Sequence, residues 1–208
     1  AISPYIAEKI TSSGYVKEDI FRVQNDRTLA GFALIGELYG VWLPQPQVQL
    51  KLGRQKHKSR LLSSKTRVLS STFEGLYVNW SPASDTKIYS AVYHKWSRRA
   101  DHKFARFSSD ISAPGAIKYL FIAGAEQQLD NFSIQLEYLY AYEYLHKWLL
   151  QSVYTLSHAE HTQSKFNFGL LGAHDGGDVF LVGAERGELD YHPAAVAGQD
   201  YEYNSLAA

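Results

Sequence analysis

The chain has 208 residues, 45% hydrophobic and 20% charged, which is enough for one domain with a core or for one wall of a barrel. It contains no Cys, which excludes disulfides and thiolate chemistry. It also has no Met, so we expect a mature, processed or excised chain. No run approaches the ~18 unbroken apolar residues of a spanning helix, so a helical membrane protein is not expected.

The formal net charge is zero, but the charges are unevenly distributed along the chain. Residues 1–106 hold 17 Lys/Arg against 8 Asp/Glu, whereas residues 107–208 hold 4 against 13. The basic residues are densest between positions 51 and 67. Such a run is either a solvated loop or a basic face presented to anions.

Alternation of apolar and polar residues predicts β-strands along most of the chain. In the segment 47–55, for example, Val48, Leu50 and Leu52 face one way, and Lys51 faces the other. The predicted strands cover residues 28–43, 47–55, 73–80, 86–96, 117–125, 131–145, 147–157, 164–171, 179–186 and 187–191. Short Pro-, Gly- or Asp-containing turns separate several of them, notably around Pro44, Pro46 and 175–178.

The longest alternation runs from Phe132 to Tyr144, with an apolar or aromatic residue at every second position. Its 13 residues exceed the ~5–6 of an ordinary soluble strand and are sufficient for a tilted membrane crossing. Tyrosines gather at its C-terminal end, as they do in the interfacial girdle of an outer-membrane barrel. We therefore predict one long strand in the wall of a membrane barrel.

Two polar stretches do not alternate, and we predict long loops at 56–72 and 97–115 within a single domain spanning 1–208. Long loops alternating with short turns indicate a barrel with one plain rim and one elaborate rim. The predicted fold class is thus all-β, an antiparallel transmembrane β-barrel.

Four short motifs follow one another along the chain in a characteristic order. Phe-Ala-Leu-Ile-Gly-Glu-Leu-Tyr-Gly at 32–40 is followed by Leu-Lys-Leu-Gly-Arg-Gln at 50–55 and, after the basic loop, by Ser-Thr-Phe-Glu-Gly-Leu at 71–76. Ala-His-Asp-Gly-Gly-Asp follows at 173–178. This order resembles the OprD-like family of bacterial outer-membrane porins over most of residues 28–206, although the chain is about half the usual length.

The resemblance implies a passive, substrate-selective channel with about 18 antiparallel strands, of which this chain would supply about 9–12. It also implies a narrowed pore with basic residues along one wall, acidic residues opposite, and small carboxylates among the solutes. Localisation in the bacterial outer membrane follows, with outer-membrane lipid and small-molecule solutes as partners and a monomer or homotrimer as the assembly.

A passive pore needs a wet lumen and a field that attracts the solute without trapping it. Alternation directs Lys51, Lys87 and Lys95 inward, whereas Arg54 shares the parity of the lipid-facing residues and could snorkel or turn into the loop. The predicted basic pore-lining residues are Lys51, Arg54, Lys56, Lys58, Arg60, Lys65, Arg67, Lys87 and Lys95. The predicted acidic ones are Glu37, Glu137 and Glu143.

The alternatives rest on weaker signals. A soluble β-sandwich that binds carbohydrate on its Tyr and Trp side chains would also alternate. An outer-membrane enzyme would need a catalytic set, and no Gly-x-Ser-x-Gly elbow or phosphate-binding loop occurs. We predict no enzyme activity, no metal and no cofactor, although His158-Ala159-Glu160-His161 contains ligand-type side chains. The acidic second half argues against nucleic-acid binding.

Overall fold

The computed structural model describes residues 1–7, 22–23, 29–30, 32–64, 70–97, 104–107, 117–159, 162–177 and 204–207. The strands are β1 (Ile2–Ala7), β2 (Arg22–Val23), β3 (Leu29–Ala30), β4 (Phe32–Gln45), β5 (Val48–Gln55), β6 (Thr72–Ala83), β7 (Thr86–Ser97), β8 (Leu120–Leu129), β9 (Phe132–Ala141), β10 (Leu145–Ala159), β11 (Thr162–Asp175) and β12 (Asn204–Ala207). None of the described residues belongs to a helix with the length and hydropathy of a membrane span.

Ten of these strands form one sheet in the order β1-β4-β5-β6-β7-β8-β9-β10-β11-β12, and β2 and β3 form a separate pair. All pairings in the sheet are antiparallel. From β4 to β11, every strand is bonded to its neighbour in sequence, which gives a simple meander. The predicted all-β antiparallel architecture is confirmed, and ten of the described strands form one sheet rather than the two packed sheets of a sandwich.

The connections differ sharply between the two ends of the strands. Two-residue turns join β4 to β5, β6 to β7 and β8 to β9, and at the same end of the sheet β10 and β11 are paired up to Ala159 and Thr162. At the opposite end, which we call the long-loop rim, 16 residues separate β5 from β6 and 22 separate β7 from β8. The connections are therefore short at one end of the strands and long at the other.

One face of the sheet, called here the outer face, is apolar and exposed. Leu52 on β5 is 65% exposed, and Phe166 on β11 is 61% exposed. The same face carries the exposed apolar side chains Leu76, Trp80, Ile88, Val92, Leu136, Tyr138 and Phe168. Large exposed apolar areas mark surfaces that meet another apolar medium, so this face is suited to hydrocarbon rather than to water.

Aromatic side chains lie toward both ends of the outer face. Phe132, Tyr154 and Phe166 are direct cross-strand partners near the short turns. Toward the long-loop rim, the Tyr119 ring lies 6.0 Å from the Tyr140 ring. Two such groups resemble the aromatic girdles that flank the apolar band of membrane barrels.

The opposite face, called the inner face, combines polar side chains with one apolar cluster. Gln49, Lys51, Tyr77, Asn79 and Lys87 alternate with the apolar residues of the outer face. Near the long-loop rim, segments from both long loops pack on this face and form a cluster around Phe73, Tyr93, Phe107, Ile122 and Leu139. The buried core of the described chain thus lies between the sheet and its loops.

The strand predicted from Phe132 to Tyr144 is shorter than expected. β9 ends at Ala141, and a turn through Tyr142 and Tyr144 leads directly into β10 at Leu145. Glu143 at the centre of the turn has φ 50°, in the left-handed region that an uninterrupted strand does not contain. Apolar alternation continues through the turn, which is why the sequence pattern did not reveal it. The strands predicted at 179–191 lie outside the described residues.

Candidate functional site

The loop after β5 folds back over the inner face. Lys58 and Ser63 form an isolated antiparallel bridge, and the Ser64 amide donates to the His57 carbonyl at 2.7 Å. At the tip, the Ser59 amide donates to the Leu62 carbonyl at 2.8 Å, and the Ser59 hydroxyl donates to the same oxygen. Residues 57–64 therefore form a closed turn, which we call the inner loop, instead of a solvated tail.

Glu137 on β9 holds the tip of the inner loop. Its side chain is 0% exposed, and its carboxylate accepts hydrogen bonds from the backbone amides of Arg60, at 3.3 Å, and of Leu61. Two successive backbone amides directed at one anion form a nest, which is a recurrent anion-binding arrangement. Here the anion is a side chain of the wall, so the nest fixes the loop to the sheet.

Tyr89 on β7 supplies a third donor, because its hydroxyl donates to the Glu137 carboxylate. Tyr89, Gly124 and Glu137 are successive cross-strand partners on β7, β8 and β9. The tyrosine ring lies over Gly124, where an added Cβ would come within 2.4 Å of Cζ. The absence of a side chain at position 124 is therefore what allows Tyr89 to reach across one strand.

His57 joins the inner loop to the wall at a second point. Its Nδ1 lies 2.9 Å from the Tyr93 hydroxyl, and the rings of Tyr77 and Tyr93 lie within 6 Å of the imidazole. Nε2 has no hydrogen-bond partner among the described residues. Burial lowers the pKa of His57 to about 4, and the nearby Glu137 carboxylate opposes only part of that shift.

On the short-turn side of the inner loop, the inner face borders a cavity of about 450 Å³. Arg60 and Lys87 bring positive charge to its wall, and Asp85 and Glu126 bring negative charge. Lys87 Nζ lies 3.4 Å from Glu126 Oε1 and 4.9 Å from the centre of the Tyr89 ring. The rest of the polar lining consists of the amide side chains of Gln127, Gln128, Gln135 and Gln151 and the hydroxyl groups of Ser81, Ser84, Thr86 and Ser133. A cavity with this lining can hold a small polar or anionic solute together with water.

Besides Arg60, Lys87 and Glu137, three more of the predicted lining residues lie on or beside the inner face. The Lys51 ammonium lies 4.7 Å from the centre of the Tyr39 ring and 6.0 Å from that of Tyr77. Lys56 at the start of the loop pairs with Glu37 at 2.9 Å. Basic and acidic side chains thus meet on this face of the described sheet.

Two of the predicted basic residues lie on the outer face. Arg54 keeps the parity of Leu52 and pairs with Glu74, from Nε to Oε2 at 2.8 Å. Lys95 was expected to point inward because the alternation of β7 would place it there. A β-bulge at His94 shifts the register, so Lys95 lies opposite Glu74, with 3.7 Å between Nζ and Oε1.

The remaining predicted residues are peripheral, or fall outside the structural description. Lys58 is exposed on the inner loop, and Glu143 lies in the turn at the long-loop rim, where its backbone amide donates to the Tyr140 hydroxyl. Lys65 and Arg67 lie outside the described residues. Glu137 lies on the inner face as predicted, but its full burial makes it an anchor for the loop rather than a surface that a solute could touch.

Several residues of this site were not predicted from the sequence. Glu126 belongs to the cavity wall, Lys147 shares the inner-face parity of Leu139, and Tyr89 and His57 hold the inner loop. The one sequence signal available for Tyr89 was Gly124 in the middle of a strand, which indicates close approach by another group.

Within the described segments, no group of three or more His, Asp or Glu side chains could hold a metal ion.

No protein-family model and no curated protein matches this chain. Solved structures do match. OpdK of Pseudomonas aeruginosa, determined with vanillate, gives a TM-score of 0.71 at 19% identity, covering 91% of this chain and 46% of that protein. OccK2 (OpdF) of the same organism, in complex with glucuronate, gives 0.61 at 18% identity, covering 74% and 41%.

A BenF-like porin from Pseudomonas fluorescens gives a TM-score of 0.57 at 16% identity, covering 63% of this chain and 35% of that protein. The chain therefore spans less than half the length of these structures. The fold is that of part of the wall of an OprD-like porin barrel, which confirms the family resemblance at the level of the fold.

Proposed function

We propose that this chain forms wall and constriction of a water-filled channel in the bacterial outer membrane, through which small carboxylates diffuse passively. The observation that carries the proposal is the division of one sheet into two chemically opposite faces. The outer face exposes large apolar side chains such as Leu52 and Phe166. The inner face carries polar groups and a loop fixed across it by Glu137.

The inner loop supports the constriction part of the proposal. A loop that is folded on the inner face reduces the cross-section available to a solute, and the buried Glu137 carboxylate keeps it there. Directly beside it, the cavity of about 450 Å³ has Arg60 and Lys87 in its lining. A guanidinium stays charged and binds both oxygens of a carboxylate, so Arg60 is suited to guiding an anion without covalent chemistry.

The solute class is supported by chemistry and by two of the similar structures. The OpdK structure was determined with vanillate and the OccK2 structure with glucuronate, and both compounds carry a carboxylate. The cavity of this chain offers cations together with several side-chain amides, which can bind hydroxyl groups. We infer that the solutes are small carboxylates bearing further polar groups.

Planar-bilayer recording of the full chain tests the proposal. Neutralising Lys51, Arg60 and Arg67 to Gln together should move the reversal potential in a salt gradient toward lower anion preference. The expected reduction is up to about fivefold per charge, since a unit charge at 4 Å contributes ~1 kcal/mol in water-like surroundings. Arg54→Gln is the matched control, because Arg54 lies on the same strand as Lys51 but on the other face.

Two outcomes would contradict the proposal at different points. Equal ion selectivity in the triple variant and in Arg54→Gln would remove Lys51, Arg60 and Arg67 from the proposed conduction path. A chain that is monomeric in detergent-free buffer, with no tendency to enter detergent or membranes, would contradict the channel itself.

A further inference from the structure

Three basic side chains surround one carboxylate on the outer face. Glu74 accepts from Arg54 Nε at 2.8 Å, and its other oxygen lies 3.2 Å from His94 Nε2 and 3.7 Å from Lys95 Nζ. The side chains of Arg54, His94 and Lys95 are 33%, 50% and 41% exposed, whereas that of Glu74 is 20% exposed. With Arg54 and Lys95 charged, this outer cluster carries at least one positive charge that Glu74 does not compensate.

The β-bulge creates this excess of charge. In a regular antiparallel pair, one residue of β7 would face Glu74. The register shift places both His94 and Lys95 beside it, because a bulge sets two residues of one strand against one of its partner. On the other side of β6, Arg54 is the direct cross-strand partner of Glu74.

The position of the outer cluster is also informative. Arg54, Glu74 and His94 each lie two residues beyond the apolar residues Leu52, Leu76 and Val92, toward the long-loop rim. At the same rim, Tyr119, directly before β8, packs against Tyr140 on β9. Tyrosines mark the boundary between hydrocarbon and headgroups, so the outer cluster lies at headgroup depth.

We propose that the outer cluster binds the phosphate group of an anionic lipid headgroup in the leaflet on the side of the long loops. The inference rests on the proposed function only in that it requires the sheet to lie in a membrane. It adds a site for lipid, on the face of the wall opposite to the solute cavity.

Arg54 is the principal ligand. Only the Nε atom of Arg54 donates to Glu74. The guanidinium carbon of Arg54 lies 4.4 Å from the centre of the Phe104 ring, so the guanidinium group is held in place on two sides. Its two Nη nitrogens make no hydrogen bond to any residue that the structure describes. With respect to the described residues, both nitrogens are therefore available to bind two phosphate oxygens, and the Lys95 ammonium adds a point charge beside them.

The test measures lipid selectivity directly. The full chain is reconstituted in phosphatidylcholine vesicles, and spin-labelled phosphatidylglycerol and phosphatidylcholine are compared for their association with the protein surface. The wild type should prefer phosphatidylglycerol, and Arg54→Gln/Lys95→Gln should lower that preference by about fivefold or more, since a basic side chain near an anionic surface contributes ~1 kcal/mol. Glu74→Gln should change the preference in the opposite direction, because it removes the one negative charge of the cluster.

Lys51→Gln is the matched control, because it removes one positive charge from the inner face of the same strand and should leave lipid preference unchanged. If the double variant destabilises the sheet, Lys95→Gln alone keeps the test valid, since its contact with Glu74 is the longest of the three. An unchanged preference in that variant and in Glu74→Gln would overturn the inference while leaving the channel proposal intact.

Two further results would also overturn it. A preference that inorganic phosphate abolishes at constant ionic strength would identify a site for free phosphate instead of lipid. A chain that does not insert into any vesicle would contradict the proposed function, and the lipid site with it.

Discussion

Glu137 on the inner face and Glu74 on the outer face show two ways of placing a carboxylate in one sheet. Glu137 is fully buried and is held by three neutral donors, two backbone amides and a tyrosine hydroxyl. Glu74 is partly exposed and is surrounded by three side chains that are, or can become, cations. The first arrangement fixes the backbone of the inner loop to the sheet, whereas the second leaves charge at the surface.

The difference in burial between the two carboxylates determines what each region contributes to stability and to surface charge. Hydrogen bonds to a buried charged acceptor are strong, and their loss leaves donors without partners in a poorly solvated place. Exposed ion pairs contribute little to stability because water and salt screen them. We therefore expect Glu137 to control the position of the inner loop. We expect the outer cluster to control the attraction of anionic lipid headgroups to the outer face.

The largest effect is expected for Glu137→Ala. Removing the carboxylate leaves the amides of Arg60 and Leu61 and the Tyr89 hydroxyl without their acceptor, at a cost of about 2–5 kcal/mol in loop docking. Hydrogen exchange of the full chain in detergent should show those two amides losing protection by more than about tenfold. Glu126→Ala, on the same face but only half-buried, is the control. Unchanged protection in Glu137→Ala would show that the loop is held by other contacts.

Acid should weaken the same docking through His57. The pKa of His57 in the folded chain is lowered to about 4 by burial, so between pH 6.5 and 4 the undocked imidazole binds a proton and the docked one does not. Loop docking should therefore be at full strength above pH 6.5, fall as the pH drops, and level off below about 4. The total loss is at most about 3 kcal/mol.

Protection of residues 57–64, referenced to intrinsic exchange at each pH, measures this effect. His57→Phe removes the titrating group and should flatten the profile. If protection of the inner loop rose toward low pH, the docked His57 would bind protons more readily than the undocked one. That result would contradict a buried, neutral imidazole at position 57.

Gly124→Ala should weaken the inner site by a smaller amount. The added methyl group would come within 2.4 Å of the Tyr89 ring, so the ring must move and its hydroxyl withdraws from Glu137. Overpacking of this kind costs about 1–3 kcal/mol. Gly40→Ala is the matched control, since nothing lies within 4 Å of an added Cβ there. Equal exchange of the inner loop in both variants would show that Tyr89 does not depend on the space above Gly124.

The sequence predicted the sheet better than it predicted the site. Alternation correctly assigned Lys51 and Lys87 to the inner face and Leu52 to the outer face, because the period of a strand is a local property. It was wrong for Lys95 and Glu143, where a bulge and a tight turn change the register without interrupting the apolar pattern. Both features depend on pairing between strands, which a single segment does not specify.

The role of Glu137 could not be predicted for a different reason. Its position on the polar parity of β9 was correct, but its partners Arg60 and Leu61 lie 77 and 76 residues away along the chain. Only the folded sheet brings the inner loop to it. The same holds for Tyr89, which meets Glu137 across an intervening strand.

The smallest effect on stability is expected for Glu74→Gln. The substitution keeps an acceptor for Arg54 but removes the negative charge, and exposed or half-exposed pairs contribute about 0.2–1 kcal/mol. The detergent-solubilised chain should therefore unfold on heating within a few degrees of the wild type, and the difference should shrink further at high salt. Glu137→Gln, made in parallel, also keeps side-chain length and one oxygen acceptor, but its amide NH₂ would face donors in a buried place. A larger loss for Glu74→Gln than for Glu137→Gln would reverse the comparison, since the outer carboxylate would then be the one on which the fold depends.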